Sequence, residues 1–196
     1  TAESMAFTGY REDGTPLWQL LAKQGRIDGP SQTLDEVTVN FYDDQDTSLT
    51  LQADQLERRD AISRLTGDVR IEGAQDLVLQ MQSLTWDETT ERLEAGPIDV
   101  STATVDGTAA QFAYDLRSHV ATFAGGVDAS AALETGWTIR ADRAEERDGT
   151  VLFRDAVTAM SEDGETFRCD RLDIESKTKT AHLSGHVIGE LPSGRL

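Results

Sequence analysis

Apolar and polar residues alternate along most of the chain, and the alternation is clearest between residues 49 and 71. Leu49, Leu51 and Ala53 alternate with polar residues, which is the period of a strand with one buried face. A polar turn at residues 58–61 separates this run from a second apolar run. The stretch therefore predicts two short strands joined by a turn.

The same two-strand unit returns along the chain with a period near 29 residues. Its first anchor, a short motif that opens with an apolar residue, begins at residues 53, 81, 109, 141 and 169. Its second anchor, of the type Gly-x-Val, begins at residues 67, 96, 125, 155 and 185. A more divergent first copy runs from residue 18 to residue 39. A repeat of this length sets the architecture, so the pattern predicts six units over about residues 18–190.

Turn residues separate the strands both within each unit and between units, which favours hairpins and antiparallel pairing throughout. The predicted turns between units are Glu72-Gly73, Asp106-Gly107, Thr135-Gly136 and Asp163-Gly164. Six units predict about a dozen strands, each with one apolar face, so the sheet must fold over on itself or pack against a second sheet. Gly67 stands inside a strand pattern and predicts a β-bulge. Residues 1–17 are interpreted as a polar lead-in and residues 25–33 as a loop. Residues 1–196 are predicted to form a single domain.

The inward-facing apolar positions make either a closed core or a groove for an apolar ligand. Small inward residues at Ala53, Ala109, Ala141 and Cys169 favour the groove, because they leave space that larger side chains could have filled. The candidate groove positions are Leu51, Val69, Met81, Trp86, Ile98, Phe112, Tyr114, Phe123, Ile139, Phe153, Phe167 and Leu172.

The chain carries 36 acidic and 18 basic residues, a formal charge of −18. This balance argues against nucleic acid and against a polybasic grip on an anionic membrane, since both need clustered positive charge. Cys169 is the single cysteine, so no intramolecular disulfide is possible, and its inward position predicts a buried thiol.

The sequence contains no nucleophile elbow, phosphate loop, dinucleotide fingerprint or zinc spacing. His182 and His186 are interpreted as surface histidines. The acidic run at residues 43–46 lacks the glycine and closing glutamate of a calcium loop. Two pairs of carboxylates, Glu145 with Glu146 and Asp99 with Asp106, have the residue types of an acid–base pair. In so acidic a chain such pairs are expected by chance, so they do not indicate catalysis. We therefore expect no enzyme activity, no cofactor and no metal site.

The opening GYREDGTPLWQLLA at residues 9–22 resembles the start of the periplasmic domain of the LptC family. The Leu-x-Ala-Asp-x-Leu … Leu-x-Gly-x-Val repeat resembles the OstA-like domain that LptC shares with LptA and the N-terminal part of LptD. This resemblance covers nearly the whole chain. The repeat is typical of the superfamily, and the short Asp-Gly-x-Pro-x-Trp opening favours the LptC branch, with LptA-like and LptD-like roles left open.

The resemblance implies an all-β fold, a twisted and slightly open antiparallel β-jelly roll. It implies a periplasmic lipopolysaccharide-transport module that holds lipid A acyl chains in an apolar groove and docks to neighbouring jelly rolls by edge strands. The implied partners are an LptA-like bridge protein and the inner-membrane LptB/LptF/LptG complex, and homo-oligomers by edge-strand pairing are conceivable. An inner-membrane anchor helix would precede Thr1. The alternative functions are a non-catalytic β-repeat or adhesin-like scaffold with a closed core, and a sugar-active β-sandwich enzyme.

Overall fold

The computed structural model describes residues 2–43, 46–74 and 76–191. Within these ranges the chain forms strands and no helix, so it presents no helix that could cross a membrane. The strands are β1 Ala2–Tyr10, β2 Pro16–Asp28, β3 Ser31–Asp43, β4 Asp46–Arg59, β5 Ile62–Gly73, β6 Val78–Asp87, β7 Arg92–Ala95, β8 Ile98–Ser101, β9 Val105–Asp115, β10 Val120–Ala132, β11 Gly136–Arg147, β12 Thr150–Ser161, β13 Thr166–Glu175, β14 Thr180–Ser184 and β15 Ile188–Glu190.

The chain divides into two compact units, Thr1–Gly96 and Pro97–Leu196, called unit 1 and unit 2 below. In unit 1, β1 to β7 pair with one another in chain order, each antiparallel to the next. In unit 2, β8 to β14 do the same, and β15 pairs with β13 beside β14. Chain-order antiparallel pairing is what the predicted hairpins require.

The predicted fold class, an antiparallel β-jelly roll made of six two-strand repeats, is confirmed. The repeats correspond to β2–β3, β4–β5, β6–β7–β8, β9–β10, β11–β12 and β13–β14–β15. In the third and sixth repeats the second strand is interrupted at the second anchor, at Gly96-Pro97 and at residues 185–187. A proline removes a backbone donor from the ladder, which accounts for the first of these breaks.

Three local predictions were wrong. Residues 1–17 are not only a lead-in, because β1 pairs with β2 along most of its length. The predicted loop at residues 25–33 shrinks to a turn at Gly29-Pro30, since β2 and β3 continue into it. Asp106 and Gly107, interpreted as a turn, lie inside β9, where backbone pairing outweighs their turn preference.

Three of the five second anchors are β-bulges, including the one that Gly67 predicted. Between Gln52 and Gln55 of β4 the paired residues of β5 advance by one extra residue, and Gly67 and Asp68 have φ values of +75° and +39°. Equivalent bulges with two successive positive φ angles lie in β10 and β12. A bulge bends the strand and increases its twist, so these three anchors curve the sheet at the same place in their repeats.

The two anchors recur together because they are cross-strand neighbours. Val127, which follows the β10 bulge, pairs with Ala109 of β9 and with Ala141 of β11. Val157, which follows the β12 bulge, pairs with Cys169 of β13. A small inward side chain thus stands beside each of these bulge valines, and the bend of the sheet explains why it is small.

Replacing Gly67 with alanine is expected to lower the free energy of unfolding by about 1–3 kcal/mol. The added Cβ would need a positive φ and would also collide with the Asp54 side chain. Urea unfolding of three variants separates these costs. Gly96→Ala has neither problem and should be neutral, and Gly126→Ala has the φ of +94° with open space around the Cβ. A Gly67→Ala variant no less stable than Gly96→Ala would contradict the bulge assignment.

Unit 1 folds over on itself, as an apolar face of this size requires. Trp18 of β2 and Trp86 of β6 are separated by three strands in the sheet, yet their rings meet edge to face with centroids 5.2 Å apart. Phe41 of β3 meets the same Trp86 ring at 5.1 Å and 82°. This aromatic cluster joins opposite parts of the curved sheet.

Candidate functional site

The twelve candidate groove positions all belong to the inner apolar face that the repeats build. Eleven of them are buried, and Phe167 is partly exposed. Unit 1 holds four of these positions, and Val69 and Met81 among them are direct cross-strand partners. Unit 2 holds the other eight.

Within unit 2 the candidate residues of neighbouring strands pack against one another. Phe112 and Phe123 are cross-strand partners with ring centroids 5.7 Å apart, and Phe153 pairs with Leu172. These contacts place the predicted residues on one continuous surface. Burying each large apolar side chain contributes about 1.5–3 kcal/mol, so the surface stabilises the fold whatever else it does.

The partly exposed Phe167 stands near the end of this inner face. Its ring contacts Trp137 of β11, with centroids 5.7 Å apart. Both side chains are intermediate in exposure, whereas their neighbours Ile139 and Ala159 are buried. Trp137 was not among the predicted positions. It directly follows a turn glycine, so no earlier residue of its strand shows which side chains of the alternation face inward.

Small side chains are distributed unequally between the two units. Among the described residues each unit contributes twenty buried apolar residues, of which two are alanines in unit 1 and seven in unit 2. Both unit 1 alanines, Ala22 and Ala53, pair with Val37 of the divergent first copy. In unit 2, Ala109 and Ala141 pair with the bulge valine Val127. Five further alanines of unit 2 pair with no bulge valine: Ala121, Ala129, Ala131, Ala144 and Ala159. The bulges therefore do not account for the small interior of unit 2.

One polar layer closes the inner face of unit 1. Gln32, Arg58 and Ser63 are cross-strand neighbours on β3, β4 and β5, and Ser63 pairs with Trp86. Arg58 is ion-paired with Glu88 at 2.9 Å, and its guanidinium lies 5.6 Å from the Trp18 ring centroid. Burial raises the pKa of the Glu88 carboxyl, and the charge of Arg58 opposes part of that rise. The turn predicted at residues 58–61 is therefore shorter, Asp60-Ala61, because Arg58 and Arg59 continue β4. The hydropathy pattern did not reveal the ion pair that holds Arg58.

A buried carboxylate in unit 2 leads to a pH-dependent prediction. Burial raises the pKa of Glu146, and the Gly149 N–H that donates to Oε1 at 3.0 Å offsets part of the rise. A raised carboxyl pKa means that the folded protein binds the proton more tightly than the unfolded chain, so stability falls as the pH rises above the ordinary value of 4.5. Glu146→Gln keeps an acceptor for Gly149 without the charge.

We therefore expect Glu146→Gln to melt at a higher temperature than the parent chain at neutral pH. The gap should close as the pH falls below 4.5, where both side chains are neutral. Glu145→Gln is the control, because Glu145 is the adjacent residue on the opposite face of β11 and its carboxylate is solvent-accessible, 3.8 Å from Arg154. A Glu146→Gln variant less stable than the parent at neutral pH would contradict this reasoning.

The remaining chemical candidates do not assemble into a reactive site. Glu145 and Glu146 point to opposite faces of β11, so they cannot act as a pair. His186 lies at the surface beside Asp170, whose carboxylate is 2.7 Å from Nδ1 and raises the pKa of the imidazole. Cys169 is buried as predicted, and that burial raises the pKa of its thiol.

Metal ligands are not gathered at any point in residues 2–43, 46–74 and 76–191, where no three His, Cys, Asp or Glu side chains could hold an ion together. The acidic run that was weighed as a calcium loop includes residues 44 and 45, which lie outside the described residues.

No family model matches the sequence, and no curated protein matches it. A solved structure that does match is LptH of Pseudomonas aeruginosa, described as the LptA homologous periplasmic component of the conserved lipopolysaccharide transport device. The two chains are 12% identical, and the match covers 74% of this chain and 94% of that one with a TM-score of 0.38. Similarity at this level is loose, so the function below is argued from the residues of this chain.

Proposed function

We propose that this protein is a periplasmic lipopolysaccharide-transport module that holds lipid A acyl chains against its inner apolar face and performs no catalysis. The observation that carries the proposal is the interior of unit 2, where large residues such as Phe112 and Phe153 alternate with alanines that the bulges do not require. An interior of mixed large and small side chains on a continuous strand surface suits flexible hydrocarbon chains. The resemblance of residues 9–22 and of the repeat to the LptC family supports the same ligand.

The energetics of acyl binding agree with the composition of the chain. Each methylene group removed from water contributes about 0.8 kcal/mol, so several acyl chains bind firmly without any charged contact. The net charge of −18 does not oppose this step, because the acyl chains are neutral. Binding would require the inner side chains to separate, which the small residues of unit 2 make less costly than a core of large residues would.

Edge strands provide the proposed docking surfaces. Among the described residues β1 pairs only with β2, and β14 and β15 pair only with β13, so each has one side without a strand partner. Ile188 and Leu191 are 59% and 73% exposed beside the second of these edges. Edges of this kind accept strands from another chain. We infer that they bind an LptA-like bridge protein and the LptB/LptF/LptG complex, or a second copy of this chain.

The location and domain organisation follow from the same proposal. The chain would act in the periplasm, held at the inner membrane by a helix preceding Thr1, and units 1 and 2 would work as one domain of the OstA-like type. The LptC role rests on the short opening at residues 9–22, and an LptA-like role would leave the acyl-binding interior unchanged.

Photo-crosslinking in cells that make lipopolysaccharide tests the proposal. A benzophenone amino acid at position 112 or 153 is expected to yield a lipopolysaccharide adduct, because both side chains face the interior. Gln111, the exposed neighbour of Phe112 on the same strand, and Arg117 at the surface are the controls and should give none. No adduct at either inner position in a folded variant would favour the closed-core scaffold instead.

The direction of the strands and the positions of the carboxylates bear on the two alternative functions, a β-helical scaffold and a sugar-active enzyme. A β-helical scaffold requires parallel stacked strands, whereas the strand pairings within unit 1 and within unit 2 are antiparallel. A sugar-active β-sandwich requires a carboxylate pair in a cleft. Asp106 hydrogen-bonds to Ser101, and Asp99 lies opposite Thr108, so the predicted acidic positions of β8 and β9 are strand-surface residues.

A further inference from the structure

A pocket of about 570 Å³ lies at the outer end of β3, β4 and β5 in unit 1, and we call it the arginine pocket. Three arginines line it, Arg58, Arg59 and Arg64, around the turn that joins β4 to β5. The strand register fixes their placement. Arg59 is opposite Ser31, and Arg64 is opposite Glu57, which itself is opposite Thr33.

Arg59 and Arg64 are diagonal neighbours on the outward face of the β4–β5 hairpin. Diagonal positions are about 7–8 Å apart, so two long guanidinium side chains can reach one small ligand between them. Ser31 and Thr33 line the same pocket from β3 and carry hydroxyl groups. The pocket therefore offers two guanidinium groups and two hydroxyl donors from three adjacent strands, which is a donor set that suits a tetrahedral oxyanion.

The charge on Arg59 and Arg64 is available to a ligand. Arg58 is engaged by Glu88, but neither Arg59 nor Arg64 has an ion-pair partner within 4.0 Å among the described residues. They differ in this from at least nine other arginines of the described part, which are ion-paired in a chain with 36 acidic residues for 18 basic ones. The carboxylates of Glu57 and Asp60 also line the pocket, so with Arg58 paired to Glu88 the charges around it balance, and a preference for an anion would come from directed hydrogen bonds of Arg59 and Arg64.

The long-range field of the chain does not prevent binding here. At physiological ionic strength the Debye length is about 8 Å, so distant carboxylates are largely screened and the side chains that line the pocket decide the local potential. The layer beneath the pocket is also incompletely hydrogen-bonded. The buried amide oxygen of Gln32 and the buried hydroxyl of Ser63 have no hydrogen-bond partner in the described part of the chain.

We propose that the arginine pocket binds a phosphate group, as a free ion or as the phosphate of a sugar or lipid head group. Arg59 and Arg64 would hold the phosphate oxygens, with Ser31 and Thr33 donating from β3. The site lies on the outward face, so it does not depend on acyl binding in the interior.

The test is a titration of the ¹⁵N-labelled chain, followed by amide chemical shifts. Three probes are compared: inorganic phosphate, N-acetylglucosamine 1-phosphate and N-acetylglucosamine. Amides of residues 31–33 and 57–64 are expected to shift with both phosphates and not with the neutral sugar. At least tenfold tighter binding of the sugar phosphate would assign the site to a phosphate ester, and equal binding would assign it to the free ion.

The double variant Arg59→Gln/Arg64→Gln should weaken phosphate binding by a factor on the order of 100, since a charge-assisted hydrogen bond contributes about 1.5–3 kcal/mol and 1.4 kcal/mol is tenfold. Arg168→Gln/Lys177→Gln removes the same charge from exposed positions of unit 2 and should bind normally. The proposal is overturned if neither phosphate shifts these amides, or if both double variants bind alike. Because the probes are soluble, this outcome is independent of the lipid crosslinks at Phe112 and Phe153.

Discussion

Replacing Trp86 with alanine is expected to lower the free energy of unfolding by about 3–5 kcal/mol. The side chain is 1% exposed, and its ring meets Trp18 and Phe41 edge to face at 5.2 and 5.1 Å. Removing it leaves a large cavity and also removes two aromatic contacts, each of which adds about 0.5–1.5 kcal/mol beyond burial. Trp18 and Trp86 are far apart in the sheet, so the substitution removes the contact that holds the folded-over sheet of unit 1 together.

The matched control for this prediction is Trp137→Ala. Trp137 is partly exposed and contacts one aromatic ring at a centroid distance of 5.7 Å, so its removal should cost clearly less. Urea unfolding measures both variants, provided that the denaturant slope matches that of the parent chain. Equal losses for the two tryptophans would show that Trp86 does not hold the curved sheet together.

The repeat allowed much of the fold to be predicted from the sequence. Strand alternation depends on side chains at i and i+2, so a run such as Leu49, Leu51 and Ala53 reports its buried face directly. The bulges were also accessible, because Gly67 breaks an apolar alternation at the place where its copies carry glycine or aspartate. The two anchors recur together in five units with nearly one period, and the pairing of Val127 with Ala109 and Ala141 gives the physical reason.

The wrong predictions concern segments that pair through their backbone but show no alternation of apolar and polar side chains. Strand β1 is an edge strand whose residues are mostly exposed, so nothing in its hydropathy distinguishes it from a polar lead-in. At Gly29-Pro30 the turn residues suggested a loop from residue 25 to residue 33, but the flanking residues continue the ladder. An edge or a strand end is held by main-chain hydrogen bonds, which any sequence can make.

The candidate sites differ in the same way. The twelve inner positions were predicted from the alternation of apolar and polar residues alone, since one face of each strand must be apolar. The arginine pocket could not be predicted, because Ser31, Arg59 and Arg64 meet only through the register of three strands. The alternation of apolar and polar residues also does not distinguish a closed core from an acyl-binding interior. The concentration of alanines in unit 2 distinguishes the two units, and only a measurement at a single inner side chain can assign the function.

Replacing Phe153 with alanine is expected to destabilise unit 2 by about 3–5 kcal/mol, because the side chain is 1% exposed and stands between Ala144 of β11 and Leu172 of β13. Phe167→Ala is the matched control on the neighbouring strand and should cost less, since Phe167 is partly exposed. Thermal unfolding followed by calorimetry measures both variants. A loss no greater than that of Phe167→Ala would contradict the placement of Phe153 in the core.

Calorimetry of Phe153→Ala together with Trp86→Ala also tests whether the chain is one domain. If units 1 and 2 unfold as one cooperative body, either substitution lowers the temperature of a single transition in which the calorimetric and van't Hoff enthalpies agree. If the units unfold independently, each substitution shifts only the transition of its own unit. One transition would support the single-domain prediction, and an acyl ligand that stabilises only the folded state would then raise its temperature for the whole chain. With two transitions, the ligand would raise only the unfolding temperature of the unit that binds it. The distribution of alanines leads us to expect that this is unit 2.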